Sequence, residues 1–199
     1  MVLTPGYDFN YRTKRPPYHN NDILVYTHIY IFHTKNNSKG KGKDKYVVNV
    51  EEYKHDVFIL KFYKQNHSDS KNRYSLLTGE FLARKIIMTC VNIGIHILSQ
   101  NPNASFGFLG MPTLKEIQRP ANKIYNTKRY RVYEKFATFF FQEENFEHNY
   151  DINTSAYFML SIKKRNIDKE IKQKILNMFV DHYTLSNFFS EVMEIELAQ

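Results

Sequence analysis

Residues 22–34 place apolar or aromatic side chains at both parities of a strand. Ile23, Val25, Thr27, Ile29 and Ile31 would line one face, and Leu24, Tyr26, His28, Tyr30 and Phe32 the other. Side chains on a strand alternate between faces, so a strand that is apolar on both needs cover on both. The chain must therefore build a sheet with material packed against each side. One such cover is legible at once. Residues 80–99 place Leu82, Ile86, Cys90, Ile93, Ile97 and Leu98 at helical spacing, the period of a long amphipathic helix. Pro102 bars its continuation, and residues 104–109 read as a short apolar strand.

The remaining segments extend the sheet. Residues 46–53 and 56–63 read as two strands, and the short gap at Lys54-His55 makes them an antiparallel hairpin. Residues 35–44 carry Gly40 and Gly42 among lysines and read as a loop, as does the polar stretch 67–77. Residues 111–125 contain Pro112 and Pro120 and read as an irregular connection. Residues 146–150 and 155–162 look like two further strands joined at Asp151-Ile152-Asn153. Ile171, Ile175, Met178 and Phe179 mark a C-terminal helical element, broken near Tyr183-Thr184 and resumed over 185–195. Residues 1–21, with Arg15-Pro16-Pro17, show no usable period and read as an irregular arm. The expectation is one domain over 22–199, of mixed α/β (α+β) class, with a mostly antiparallel sheet and a helical extension over 167–196.

Charge and cysteine usage narrow the chemistry. With 28 Lys plus Arg against 20 Asp plus Glu, the chain carries a formal charge of +8, which favours an anionic partner. Nucleic acid such as RNA, an acidic protein or the phosphates of a nucleotide-like cofactor would each serve. Lys39, Lys41, Lys43 and Lys45, and Lys163, Lys164 and Arg165, read as solvated runs. The single Cys90 excludes an internal disulfide, and no Cys or His cluster has metal-ligand spacing, so no metal is expected. Cys90 reads as a small core residue. No stretch approaches the roughly 20 apolar residues of a membrane span, so the expectation is a cytoplasmic protein with no membrane partner.

A second helix opens at Asn126, a residue suited to capping free backbone N–H groups. Tyr133 follows seven residues later, which at 3.6 per turn returns it to nearly the same face. Asn126, six residues, then Tyr133-Glu134-Lys135-Phe136-Ala137 resembles the penultimate helix of the GNAT N-acetyltransferase superfamily, whose signature usually ends Tyr-x-Lys-x-Gly-Phe. The Gly-Phe ending is absent here. The element order is three strands, long helix, strand, helix, two strands, then helix. It resembles the later part of the GNAT fold over roughly residues 22–163. A strand and two helices that commonly shape the acceptor site in that family are not seen ahead of Asp22, and the C-terminal helices could fill that space.

The resemblance implies acetyl-coenzyme A held between two splayed strands, its pyrophosphate at a helix N-terminus. The first turn of a helix supplies free N–H groups and a positive dipole end for such an anion. Here that turn would involve Thr78, Gly79, Glu80, Phe81 and Leu82, with only Gly79 matching the family's glycine pattern and Glu80 placing negative charge where a phosphate would lie. Thr78 as a plain cap and Glu80 as a dipole partner explain the same residues. Asn126 and Arg129 would join the cofactor-binding set; Arg129 and Arg131 point to different faces, so only one can face a cofactor. Tyr133 would be the general acid that protonates the departing thiolate, or else a core aromatic. Glu51, Glu52 and His55, beside the central hairpin, are candidate bases acting directly or through a water, with His148 a further one.

Two functions stay open. One is acyltransfer from acetyl-coenzyme A to an amine on a small molecule, a protein or an aminoacyl-tRNA. The other is a non-catalytic GNAT-like module binding nucleic acid or protein, for which Lys123, Tyr125, Arg129, Tyr130, Arg131, Tyr133 and Lys135 could form a basic, aromatic stripe.

Overall fold

The computed structural model describes residues 5–17, 23–34, 43–76, 83–118 and 125–182. The strands are β1 (Phe9–Arg15), β2 (Leu24–His33), β3 (Lys45–Tyr53), β4 (Val57–Lys64), β5 (Ser105–Leu109), β6 (Phe146–Asp151) and β7 (Ala156–Ser161). They form one seven-stranded sheet in the order β1-β2-β3-β4-β5-β7-β6. The helices are α1 (Ala83–Gln100), α2 (Leu114–Ile117), α3 (Lys128–Phe140), α4 (Ile162–Ile167) and α5 (Ile171–His182). Every neighbouring pair is antiparallel except β4 and β5, which α1 joins as a parallel pair. The mixed, mostly antiparallel architecture thus agrees with the class expected from the strand and helix periods. Among the described residues no helix is long and apolar enough to cross a membrane.

The turn between β3 and β4 takes the three residues Lys54–Asp56, since β4 begins at Val57, one residue later than the sequence spacing suggests. His55 and Asp56 both adopt left-handed backbone, with φ of 65° and 52°. That geometry matches the twist of flanking strands at a steric cost for residues with a Cβ. Two contacts offset it: Asn101 Nδ2 donates to Asp56 Oδ1 at 3.0 Å, and Lys164 pairs with Asp56 Oδ2. Burial alone would raise the Asp56 carboxyl, but these two partners more than offset it and hold the group below its ordinary range.

Alternation sorts the core into two layers. Tyr30, Phe32, Tyr46, Val48, Val50 and Phe58 face α1, where Ile86, Cys90, Ile93 and Ile97 meet them, and α3 adds Ala137. On the opposite face Tyr53, Val57, Ile59 and Leu160 pack against Ile171, Ile175 and Met178 of α5. Cover on both sides is therefore present at the middle of the sheet. On β2 the α5 cluster reaches Leu24 at the start of the strand, while Val25 is 37% exposed among the described residues.

The reading of two segments is corrected. The N-terminal arm is not irregular throughout, since Phe9–Arg15 forms β1 and pairs with β2 in register Phe9↔Phe32 to Arg15↔Thr27, with a bulge between Tyr11 and Thr13. An edge strand needs no buried face along its length, so its charged residues hide the period. The run 163–165 is likewise no solvated loop. It lies in α4, where Lys164 pairs with Asp56 and Arg165 with Glu147 at 2.7 Å.

The start of α3 is fastened at several points. The Thr127 hydroxyl caps the helix by accepting from Tyr130 N–H at 3.1 Å and donates to Gly110 O at 2.5 Å. Thr127 N–H donates to Ser155 Oγ at 3.1 Å, and Lys128 N–H to Glu116 Oε1 at 2.9 Å. The expected cap, Asn126, instead takes a left-handed turn with φ of 48° and donates its N–H to Ile152 O at 3.0 Å. Both residues are good caps, and contacts remote in sequence, with Gly110 and with the β6–β7 turn, decide which one serves.

Gly110 is required by this contact. A Cβ there would meet Tyr130 Cβ at 2.5 Å and Thr127 Oγ1 at 2.7 Å. Gly110→Ala should therefore cost about 1–3 kcal/mol of unfolding free energy, the usual range for overpacking, and an unchanged urea midpoint would sink the close-contact account. Glu147 offers a second test. Hydrogen bonds from Lys172 and then Arg165 hold its carboxyl below the usual range. A depressed folded-state value stabilises the protein above the unfolded carboxylate pKa and is lost as pH falls through the folded one. Wild type and Glu147→Gln should thus differ in denaturation midpoint at neutral pH, and the difference should shrink as pH falls below the ordinary carboxylate range.

Candidate active site

The parallel register of β4 and β5 is short. It runs Val57↔Ser105, Phe58↔Phe106 and Ile59↔Gly107, and stops. Beyond it β5 continues against β7 alone, as Phe108↔Tyr157 and Leu109↔Ala156, while β4 runs on to Lys64 beside β3. The sheet is thus interrupted between the C-terminal halves of these two strands. Tyr133 of α3 sits across this interruption. Its ring lies 6.3 Å from Phe62 of β4 and 5.5 Å from Phe108 of β5, edge-on to the latter.

Behind Tyr133 the layer between sheet and helices holds a cavity of about 90 Å³. Leu60 and Phe62 of β4, Phe106 and Phe108 of β5, and Ile87 and Val91 of α1 line it. Its far end reaches Gly94, Ala137, Phe141 and Met159. The Tyr133 hydroxyl and the Cys90 thiol are the only polar side-chain groups among the lining residues.

Burial sets the acid–base state of this region. It pushes the Tyr133 phenol up to about 12, with Arg129 opposing the shift and Cys90 adding to it. It pushes the Cys90 thiol up to about 12 as well, so neither a phenolate nor a thiolate is present at neutral pH. No hydrogen bond to the Tyr133 hydroxyl is found among the described residues. The phenol is therefore a protonated donor at the interruption of the sheet.

Arg129 turns inward, as only one of the two arginines could. Its Nη2 donates to Ser75 O at 2.8 Å and Leu76 O at 3.0 Å, and its Nη1 reaches Met111 O at 3.4 Å. It thereby ties the approach to α1 to the end of β5. Arg131 is exposed and donates to Asn126 O. Thr78, Gly79, Glu80, Phe81 and Leu82 lie outside the described residues.

The candidate bases are not gathered around Tyr133. Glu51 and Glu52 are consecutive on β3 and so face opposite sides. Glu51 accepts from Tyr53 Oη at 2.7 Å and Lys61 Nζ at 2.9 Å on the α5 side. Glu52 pairs with His28 Nε2 at 2.7 Å on the α1 side. It lies opposite Phe58, about 13 Å of strand from the level of Phe62. His55 is exposed at the hairpin tip, where burial, then Lys164 and Lys174, lower its pKa. His148 Nδ1 lies 2.8 Å from the Tyr157 hydroxyl, on the far side of β7 from β5. The structure brings together Tyr133 and Arg129 from the expected set, and leaves Glu51, Glu52, His55 and His148 apart from them.

Other parts of the site were not anticipated. Thr113-Leu114-Lys115-Glu116 fits the capping-box pattern, and Glu116 Oε2 accepts from both Thr113 N–H and Thr113 Oγ1 at 2.9 Å. That signal was available in the residues themselves. Phe62, Phe108 and Gly94 carry no comparable local signal. Among the described residues no group of three or more His, Cys, Asp or Glu could share a metal ion. No family model, curated protein or solved structure matches this chain.

The raised phenol gives a directional test. Tyr133 stabilises the fold as a neutral group, fully below the unfolded tyrosine value and progressively less as pH rises toward its folded value of about 12. Tyr30 and Tyr130, also pushed up to about 12 by burial, add to the same decline. Tyr133→Phe should therefore lose stability less steeply than wild type between about pH 10 and 11. Equal slopes in chemical denaturation would show that the ring is solvated.

Proposed function

We propose that this chain is a GNAT-like acyltransferase, moving an acyl group such as acetyl from coenzyme A to an amine on a small molecule, a protein or an aminoacyl-tRNA. The observation that carries the reading is Tyr133, a protonated phenol set where β4 and β5 cease to pair, at the mouth of an apolar cavity. The element order adds support. One parallel pair joined by a long helix, a tyrosine-bearing helix after the second strand and a closing hairpin follow the order that the resemblance implies.

The chemistry asks little more of the protein. A pantetheine arm carries amide groups, and two strands that stop pairing offer main-chain donors and acceptors along such an arm. The acyl-coenzyme A supplies an activated acyl group. Tyr133 holds a proton where the departing thiolate needs one, while the proton of the attacking amine passes to water or to a base on the acceptor side. Arg129 keeps the segment before α1 in place through its carbonyl contacts, so it positions the site. Asn126 acts in the same way, through the turn into α3.

A non-catalytic GNAT-like module is the second reading, favoured by the link between β1 and β2. Only eight residues separate Arg15 from Leu24, too few for two helices on the acceptor side. Its nucleic-acid form is weakened by the packing of α3, which buries Tyr130 and engages Arg129, leaving Tyr125, Lys128, Arg131 and Lys135 exposed. Titration calorimetry with acetyl-coenzyme A and coenzyme A separates the two readings. Micromolar binding is expected for the enzyme, and Tyr133→Phe should then lower kcat on the order of 100-fold or more with little change in cofactor affinity. No heat at millimolar cofactor would leave only the module.

A further inference from the structure

The cavity behind Tyr133 is deeper than acetyl transfer requires. An acetyl group ends one methyl beyond its carbonyl, near the phenol, whereas the lining continues to Gly94 of α1, Phe141 after α3, and Met159 of β7. These residues stand beside the paired, N-terminal part of β5, since Met159 is opposite Phe106 and Phe106 is opposite Phe58. The cavity thus runs from the interruption of the sheet inward along β5. At roughly 30 Å³ for a water-sized group, its volume of about 90 Å³ admits roughly three further carbons.

We propose that the acyl group this protein carries is a short aliphatic chain longer than acetyl, of about four to six carbons, with its tail in the cavity between α1, α3 and β5. The inference rests on the acyltransfer reading and specifies its substrate. The walls select against polar tails, because no charged side chain lines them and a carboxylate placed there would be buried without a partner. Gly94 sets the depth. A Cβ at that position would already lie 3.2 Å from Phe141 Cζ, so any larger residue narrows the inner end.

Titration calorimetry of the full chain with coenzyme A and its acetyl, butyryl, hexanoyl and succinyl esters tests this. Affinity should rise by about fourfold per methylene from acetyl to butyryl and continue to hexanoyl, the gain expected for burying each CH₂. The succinyl ester should bind more weakly than the butyryl one. Gly94→Val should reverse the order so that hexanoyl binds less tightly than acetyl. Cys90→Leu, which fills the cavity from a different position on the same helix, should do the same, and a thermal melt of each variant checks that it folds. If acetyl- and hexanoyl-coenzyme A bind equally, or succinyl binds more tightly than butyryl, the chain-length inference falls and acyltransfer stands. If neither coenzyme A nor any ester binds, both fall.

Discussion

The Thr127 hydroxyl lies between two main-chain groups that belong to different parts of the chain. It accepts from the first turn of α3 and donates to Gly110 at the end of β5, so the helix start is set on the strand end. Ser155 from the β6–β7 turn and the Glu116 carboxylate take two more N–H groups of the same turn. A helix leaves its first N–H groups without internal partners, and here the cap Thr127 and two remote segments supply them. The rotation of α3 about its axis follows from that anchoring. Once it is fixed, Tyr130 must meet Tyr157 on β7 and Tyr133 must meet Phe62 and Phe108.

That rotation explains why two tyrosines three residues apart differ in use. Tyr130 enters the closed core at 1% exposure, with its Cα and Cβ against Gly110 and its ring against Phe108 and Tyr157. Tyr133 reaches the place where the sheet is interrupted, with a cavity behind it. Arg129, on the side of Tyr133, fastens the main chain at Ser75 and Leu76. Glu116 neutralises part of the positive end of α3 while completing its own capping box. The start of α3 is thereby filled with protein groups.

Much of this fold was legible wherever burial imposes a period. β2, β3, β4 and α1 stood out because each packs at least one apolar face. β1 did not, since an edge strand can hold Arg12, Lys14 and Arg15 in a run that spacing rules score as irregular. The capping residue was placed one position early because Asn126 and Thr127 are chemically alike as caps, and a contact with Gly110, remote in sequence, chose between them. The opposite facing of Glu51 and Glu52 follows from alternation alone, but their partners Lys61 and His28 come from neighbouring strands. The meeting of Tyr133 with Phe62 and Phe108 depends on where the β4–β5 register ends, and no local pattern encodes that point.

The bulge in β1 bears on how this molecule avoids its own kind. A sheet edge carries a row of backbone groups that another strand can join, which makes long flat edges seeds for fibrils. Between Tyr11 and Thr13 the register slips by one residue, so the outer edge is not evenly spaced. Lys14, whose ammonium lies over the Tyr26 ring at 4.1 Å, and the flanking arginines add like charge along the same edge. A second copy approaching in strand-to-strand contact would meet both a mismatched ladder and a repelling row, so β1 itself discourages growth of the sheet at this edge.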